Sequence, residues 1–170
     1  MAETPVIVKI EDSEEKGRIV AAVLADLPQW FGLPEATAAY IEDSKKLPLW
    51  AAKLAEEAIG FVTLRESSPE TGELHCMGVK RAHHRQGVGK GLYAALEDYA
   101  RARYRFLQVK TVAQGHYTQY DQTIVFYRRM GFSQLEVFPT LWDEWNPCLV
   151  MVKALGPAGP GQNAPEEGRE

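Results

Sequence analysis

The sequence predicts an α+β protein with α/β-like layers, in which a mixed sheet of about seven strands carries helices on both faces. Short β-branched segments and segments with apolar residues at helical spacing follow one another in the order β-α-α-β-β-β-α-β-α-β-β, which suits a layered domain. The 170 residues, 45% of them hydrophobic and 25% charged, fit one globular domain. The apolar runs fall far short of the roughly 20 residues that a membrane span requires.

The N-terminal part of the chain predicts one strand and two helices. Pro5–Ile10 is short and β-branched, which is typical of a strand. Ser13 is a candidate N-cap for a helix that Pro28 ends, and its apolar residues recur at helical spacing. These residues are Ile19, Val20, Val23, Leu24 and Leu27. After an aromatic loop at Gln29–Leu33, Pro34 suits the first turn of a second helix, which we expect to run to about Lys45.

The rest of the chain predicts most of the sheet and two more helices. Leu49–Leu54 and Ala58–Leu64 form a hairpin around Ala55–Glu57, and a polar turn at Ser67–Gly72 leads to a third strand at Leu74–Val79. The later elements are a helix over Val88–Tyr99, a strand at Phe106–Val112, a short helix at Thr123–Met130 closed by Gly131, and strands at Phe132–Phe138 and Cys148–Leu155 joined by Pro139–Pro147.

Composition limits the classes of function. Residues 1–155 are expected to form the domain, and residues 156–170 a flexible tail rich in Gly, Pro and Glu. The net charge of −4 disfavours a nucleic-acid binder with a broad basic face. Cys76 and Cys148 are too few for a disulfide framework, and the N-terminus lacks the layout of a signal peptide. We therefore expect a cytosolic protein with reduced thiols and with no membrane or nucleic-acid partner.

The segment Lys80–Gly91 is the strongest candidate for a binding site. It lies between a predicted strand and a long amphipathic helix, and Gly87 and Gly89 allow main-chain N–H groups to turn toward a ligand. The helix start adds unpaired donors and the positive end of its dipole, which favour an anion such as phosphate. Arg85 and Lys90 add positive charge. A solvated glycine-containing loop is the alternative, and neither the Walker nor the dinucleotide-binding glycine pattern is present.

Four segments resemble the GNAT superfamily of acyl-CoA-dependent N-acyltransferases. They are the strand Leu74–Val79, the basic glycine loop His84–Gly89, the strand Phe106–Val112 and the segment Phe126–Phe132, which contains Phe-Tyr-x-x-x-Gly-Phe. The resemblance is close over Glu73–Phe132, and the order of elements agrees from Val6 to Leu155. Two positions depart from the family pattern: His84 opens the loop, and Tyr120 stands where an asparagine usually contacts pantetheine.

The resemblance implies a mostly antiparallel, twisted sheet and acetyl-CoA as cosubstrate. The diphosphate of acetyl-CoA would lie against the main-chain amides of the loop, which are those of Arg85, Gln86, Gly87, Val88, Gly89 and Lys90. A β-bulge near Met77–Gly78 would separate two parallel strands. The pantetheine arm would then pair with the strand edge at Met77 and Val79 and pass Tyr120.

Transfer to an amine requires a base, because a free alkyl amine is mostly protonated at neutral pH. The two-residue period of a strand puts Glu73, His75 and Met77 on one face, which makes Glu73 and His75 candidate bases. They stand where the similar arylalkylamine acetyltransferases carry two histidines. The structural alternatives are a solvated strand end for Glu73 and a satisfied, partly buried histidine for His75. The same period places Cys76 on the opposite face, where a small buried residue is expected.

The remaining site residues follow from the family pattern. Tyr127 matches the family tyrosine that protonates the departing thiolate, with aromatic packing in the core as its alternative. Trp30 and Phe31 fall in the loop that covers the acceptor in the family, and aromatic rings with Glu35 nearby would suit a cationic amine. The histidines lack metal-ligand spacing, so no metal is expected.

The leading hypothesis is therefore an enzyme that transfers acetyl from acetyl-CoA to a primary amine by direct attack in a ternary complex. We expect a small cationic metabolite or drug as acceptor, since the chain is acidic. A protein N-terminus or lysine is the alternative within this class, and a non-catalytic acyl-CoA-binding module is the alternative outside it. Edge strands of such a sheet could pair two copies into a homodimer.

Overall fold

The computed structural model describes residues 3–157, and the predicted mixed sheet with helices on both faces is confirmed. The strands are β1 (Val6–Ile10), β2 (Leu49–Leu54), β3 (Glu57–Ser68), β4 (Thr71–Val79), β5 (Phe106–Val112), β6 (Ser133–Asp143) and β7 (Asn146–Ala154). The helices are α1 (Ser13–Ala25), α2 (Pro34–Ser44), α3 (Val88–Arg101) and α4 (Thr118–Arg129). Most of the predicted tail, residues 158–170, lies outside the described residues.

The seven strands lie in the order β1-β2-β3-β4-β5-β7-β6. Neighbouring strands are antiparallel except β4 and β5, which are parallel. Helix α3 connects β4 to β5, because two parallel neighbouring strands need a crossover connection between them. The C-terminal ends of β4 and β5 therefore lie at the same end of the sheet as the N-terminus of α3. In open sheets of this kind, ligands bind at that end.

One face of the sheet is covered by α1 and α2. Val20, Val23 and Leu24 of α1 are buried there with Phe61 of β3. The N-cap of α1 is Asp12, whose carboxylate accepts a hydrogen bond from the Glu15 N–H at 2.8 Å. The predicted N-cap, Ser13, is wrong by one position, and its hydroxyl donates instead to Lys45 O at 3.1 Å, which ties the two helices together.

The other face is covered by α3 and α4. Leu92 and Leu96 of α3 are fully buried against Ile59 of β3 and Leu107 of β5. The helical spacing of these apolar residues is the pattern expected of a helix with one buried side.

Several boundaries differ from the sequence predictions. Helix α4 begins at Thr118 rather than Thr123, and the final strands extend to a tight turn of Glu144 and Trp145 rather than ending at Phe138 and beginning again at Cys148. The Asp143 carboxylate accepts hydrogen bonds from the N–H groups of Trp145 and Asn146, both at 2.9 Å, which stabilises this turn. Within residues 3–157, no helix combines the length and apolar character needed to cross a membrane.

Candidate active site

A gap opens in the sheet where β4 and β5 separate. The parallel pairing joins Thr71 to Phe106, Gly72 to Leu107 and Glu73 to Gln108, and it stops there. Beyond this point β4 stays paired with β3 as far as Val79, and β5 stays paired with β7 as far as Val112. The edges of β4 and β5 that face each other are therefore free of strand pairing from His75 and Val109 onward.

A β-bulge lies at the beginning of this gap. Strand β3 pairs Leu64 with Leu74 and Thr63 with Cys76, which leaves His75 without a partner. The Thr63 hydroxyl donates to Cys76 O at 3.3 Å beside the bulge. The bulge predicted near Met77–Gly78 is therefore wrong in position and lies at His75.

Gly78 has a packing role rather than a bulge role. It pairs regularly with Phe61. A Cβ atom on Gly78 would lie 3.0 Å from side-chain atoms of both Leu27 and Val23, so its small size lets α1 pack closely on β4.

The bulge reverses which side chains point to which face of the sheet. Before the bulge, Leu74 is buried under α3; after it, Met77 and Val79 pack on that same face. Cys76, 6% exposed, is buried on the face of α1 and α2. The prediction that Met77 shares a face with Glu73 and His75 is therefore wrong, and so is the prediction that Cys76 lies opposite them. An inserted residue shifts the two-residue period by one, which the simple alternation ignores.

The open edge of β4 offers main-chain groups to the gap. Lys80 N–H donates to Ile59 O of β3 at 2.8 Å. Because successive residues of a strand alternate in hydrogen-bonding direction, the main-chain groups of Met77 and Val79 point away from β3 and toward the gap. His84 uses one of them, since its Nε2 donates to Val79 O at 2.6 Å.

The loop before α3 has the backbone geometry of an anion site. Arg85 and Gly87 have positive φ angles of 62° and 79°. Gly87 is the N-cap of α3 and provides no side-chain cap, and the first helical hydrogen bond runs from Gly91 N to Gly87 O at 3.1 Å. The N–H groups of Val88, Gly89 and Lys90 precede that bond and have no helical acceptor. This arrangement fits a diphosphate.

The other predicted loop residues lie around these amides. Arg85, Gln86 and Lys90 are exposed, and the Gln86 amide donates to Ala82 O at 3.4 Å. Gly89 packs beneath Phe126 of α4, where an added Cβ would lie 3.4 Å from the ring.

Tyr127 of α4 is buried, with an exposed fraction of 6%. The rings of Phe126 and Phe132 lie 5.6 and 5.8 Å from its ring. Burial raises the pKa of Tyr127 well above its usual value, and the nearby Cys76 and Tyr40 raise it further. Tyr127 is therefore protonated at neutral pH, so its hydroxyl is able to donate a hydrogen bond to a departing thiolate. Both the packing role and the acid role predicted for this residue are compatible with that position.

His75 lies on the α2 side of the sheet, and 13% of its side chain is exposed. Its Nε2 lies 3.4 Å from Asp43 Oδ2, and the Tyr40 ring lies 5.4 Å from the imidazole. Burial lowers the pKa of His75 below its usual value; Glu73 and Asp43 oppose this effect, while Arg65 adds to it. The neutral imidazole, which can accept a proton, is thus the favoured form at neutral pH.

Glu73 is the last residue of β4 that pairs with β5, and it is 6% exposed. Its Oε1 lies 3.2 Å from Lys110 Nζ of β5. The carboxylate is therefore held by an ion pair at the point where the strands separate. This position differs from the solvated strand end considered as its alternative.

The two aromatic residues predicted for the acceptor lie in different surroundings. The Phe31 ring packs against Tyr40 at 5.8 Å, so it belongs to the group around His75. The Trp30 ring packs against His84 at 5.9 Å, next to the anion loop. The Tyr120 hydroxyl donates to Trp30 O at 3.0 Å and so joins α4 to the loop between α1 and α2.

Sequence reasoning missed Tyr40 and Asp43. Both lie on α2, three residues apart, and both contact His75. The spacing puts them on one face of the helix, but nothing in the sequence indicates which residue of the sheet they meet. Among residues 3–157, no group of three or more His, Cys, Asp or Glu side chains is arranged to hold a metal ion.

Comparisons with known proteins agree with this architecture. A structure from Desulfovibrio desulfuricans, described as being of the GNAT family, superposes with a TM-score of 0.79 at 16% identity, covering 89% of this chain and 99% of that one. An aminoglycoside 6'-N-acetyltransferase from Enterococcus faecium superposes with a TM-score of 0.70 at 18% identity, covering 89% and 98%. A ribosomal-protein-alanine N-acetyltransferase from Brucella melitensis gives 0.65 at 19% identity, covering 86% and 99%. These likenesses show the fold.

The family assignment comes from the sequence. No curated protein matches the chain. The family model described as "Acetyltransferase (GNAT) family" matches residues 11–132, which contain the gap, the bulge, the anion loop and Tyr127. The chain therefore belongs to the GNAT family of acetyltransferases, enzymes that take the acetyl group from acetyl-CoA.

Proposed function

We propose that this enzyme acetylates the primary amine of a small cationic molecule by direct attack on acetyl-CoA in a ternary complex. The observation that carries the proposal is the placement of His75. It lies at the bulge beside the gap, its side chain is 13% exposed, and burial favours its neutral form. These positions support His75 as the proton acceptor and Tyr127 as the proton donor, one on each face of the sheet.

The residues present fit acetyl-CoA, which supplies the activated thioester. The free amides of Val88, Gly89 and Lys90 would hold its diphosphate, with charge from Arg85. The main-chain groups of Met77 and Val79 would pair with the pantetheine arm as an added strand does. Tyr120, whose hydroxyl donates to Trp30 O, would border the pantetheine arm on the side of α4.

The chain's own residues would move the protons. His75, with Glu73 nearby, accepts a proton from the ammonium form of the acceptor, which leaves a neutral amine. The amine nitrogen bonds to the thioester carbonyl carbon and the carbon–sulfur bond breaks. Tyr127 donates a proton to the departing thiolate and is reprotonated by the second proton that the nitrogen loses. The products are an amide and coenzyme A, and one proton is released to solvent.

The side of the gap that faces α2 suits a cationic acceptor. Glu73 and Asp43 place two carboxylates there, and the Phe31 and Tyr40 rings offer aromatic faces to a cation. Lys110 neutralises part of this charge, and Arg65 and Lys46 lie beside Asp43 and His75, so we expect an acceptor with a single positive group at the reacting end. The Enterococcus faecium relative is named for an aminoglycoside and the Brucella melitensis relative for a ribosomal protein. A peptide N-terminus is therefore the alternative acceptor class to test beside small cationic amines.

A cytosolic location and a homodimer are the remaining parts of the proposal. Both thiols, Cys76 and Cys148, are buried and unpaired, which suits a reducing compartment. The outer strand β6 exposes Leu135 and Val137, which could pair with a second copy. Sedimentation velocity over a concentration series measures the dimer, and a monomer at every concentration would contradict it.

The experiment is a screen for coenzyme A release. Acetyl-CoA is incubated with panels of small diamines, aminosugars, arylalkylamines and peptides with free N-termini, and the thiol product is quantified. We expect turnover with a small cationic amine and its loss in His75→Gln, while the exposed His116→Gln stays at the wild-type rate. Turnover with peptides alone would refute the acceptor class. Wild-type turnover in His75→Gln would refute the role of His75.

A further inference from the structure

We infer that Asp43 is a positioning residue for His75, which it orients as the base and whose positive charge it stabilises after proton uptake. The inference rests on the proposed role of His75 and assigns a function to the later part of α2, whose residues Tyr40 and Asp43 were not identified from the sequence. Tyr40, one turn earlier on α2, confines the imidazole from the side.

The geometry places both residues around one ring. Tyr40 and Asp43 lie at i and i+3 of α2 and so occupy one helix face. The Tyr40 ring is tilted by 60° to the imidazole at 5.4 Å, and Asp43 Oδ2 lies 3.4 Å from Nε2. Within residues 3–157, this buried Nε2 has no hydrogen-bond partner of good geometry. A buried ring nitrogen is stabilised by a hydrogen-bond partner, and the group that faces it is the Asp43 carboxylate, which as an anion can only accept.

A cavity of about 210 Å³ adjoins this contact. Its lining consists of Asp43, Lys46, Leu47, Arg65 and His75. The Asp43 side chain is 54% exposed, so the carboxylate contacts both the imidazole and solvent. Water in this cavity would connect the buried ring to bulk solvent, which gives a proton on His75 a path out that avoids the acetyl donor.

The charged groups around His75 come from every packed element. Glu73 lies on β4, Arg65 on β3 and Asp43 on α2, with Lys46 just after α2. Arg65 opposes a positive imidazole, whereas Glu73 and Asp43 favour it. Glu73 forms an ion pair with Lys110. Asp43, by contrast, forms no ion pair with a lysine or arginine within residues 3–157.

These contacts determine the role of each ring nitrogen. When Nε2 carries the hydrogen and donates it to Asp43, the lone pair of Nδ1 is free to accept a proton from the amine. The imidazolium formed then lies beside the Asp43 carboxylate. His75 loses the proton to water in the cavity and returns to its neutral form, so the base is regenerated once per turnover.

The test compares Asp43→Asn with Glu42→Gln, which removes the same charge from the neighbouring, exposed position of α2. Asp43→Asn should lower the plateau of kcat/KM about tenfold and move its acid limb to lower pH, because the imidazolium loses its partner. The KM for acetyl-CoA should stay unchanged. Glu42→Gln should match the wild type, and Asp43→Glu should recover part of the rate.

A second measurement does not depend on activity. Nitrogen-15 NMR of the imidazole reports which ring nitrogen carries hydrogen, and we expect the Nε2–H form in the wild type and a mixture in Asp43→Asn. An Nδ1–H form in the wild type would overturn the inference. So would a pH profile of Asp43→Asn that overlays the wild type while His75→Gln is impaired. Wild-type turnover in His75→Gln would instead refute the proposed function.

Discussion

Replacing Gly87 by alanine tests the anion loop directly. Gly87 adopts a φ of 79°, and an added Cβ would meet no atom within 4 Å. The variant therefore has no steric clash in the free protein, and its cost is limited to the left-handed backbone. That cost is about 1 kcal/mol, which for a chain of this size lowers the melting temperature by about 2–4 °C.

The effect on coenzyme A binding should be much larger than the effect on stability. The new methyl group would stand where the diphosphate approaches the amides of Val88 and Gly89. Each hydrogen bond to a charged group contributes about 1.5–3 kcal/mol, so losing one raises the Kd by at least about tenfold. Isothermal titration calorimetry with coenzyme A measures this Kd, and thermal unfolding measures the stability of the same sample.

Gly156→Ala is the matched control. Gly156 has a φ of 93° with no atom within 4 Å of an added Cβ, and it follows β7 at the other end of the sheet. It should show a similar or smaller loss of stability and a wild-type Kd. If Gly87→Ala binds coenzyme A as tightly as the wild type, the diphosphate does not lie against these amides and the reasoning fails.

Three further predictions concern the titratable groups. Tyr127→Phe should lower kcat, measured by coenzyme A release, by about 10²-fold, while calorimetry should give an unchanged Kd for coenzyme A. An equal loss of kcat in Tyr117→Phe, whose side chain is exposed, would contradict a specific role of Tyr127. Burial lowers the pKa of His75 in the folded state, so its neutral form stabilises the fold at pH above about 6.5 and this contribution is lost as pH falls through the lowered pKa. Urea unfolding at a series of pH values should show this decrease in the free energy of unfolding. His75→Gln should make the free energy of unfolding depend less steeply on pH. Cys76 is 6% exposed and Cys148 fully buried, so both thiols should react with a chromogenic disulfide only on unfolding, and rapid reaction of the native protein would contradict the packing.

Local signals in the sequence predicted most elements. Strand β5 has the predicted bounds, and Pro34 begins α2 as its fixed φ requires. Strand β6 was predicted too short because Pro139 was read as a break. Proline lacks an N–H group, but β6 is the outermost strand of the sheet, where a missing donor can face solvent. The start of α4 was missed because its first turns are polar and show no helical pattern of apolar residues.

The candidate site was predicted only where its residues are close in sequence. The loop from Arg85 to Lys90 is a local structure whose glycines and charges can be recognised directly. The bulge at His75 is different, because it depends on how β4 pairs with β3. The contact of Asp43 with His75 depends on how α2 packs on the sheet, which no local pattern contains.

The unpaired residue in β4 also determines how the protein would tolerate deletions. Removing His75 would make Leu74 and Cys76 consecutive, opposite the consecutive residues Leu64 and Thr63, so every later side chain of β4 would keep its face. Met77 would stay under α3 and Gly78 would stay against α1, whereas the bulge beside the gap between β4 and β5 would be lost. A deletion of His75 should therefore spare the fold and disturb the gap, whereas a deletion of Met77 would make Gly78 and Val79 exchange faces and should be far more damaging to stability.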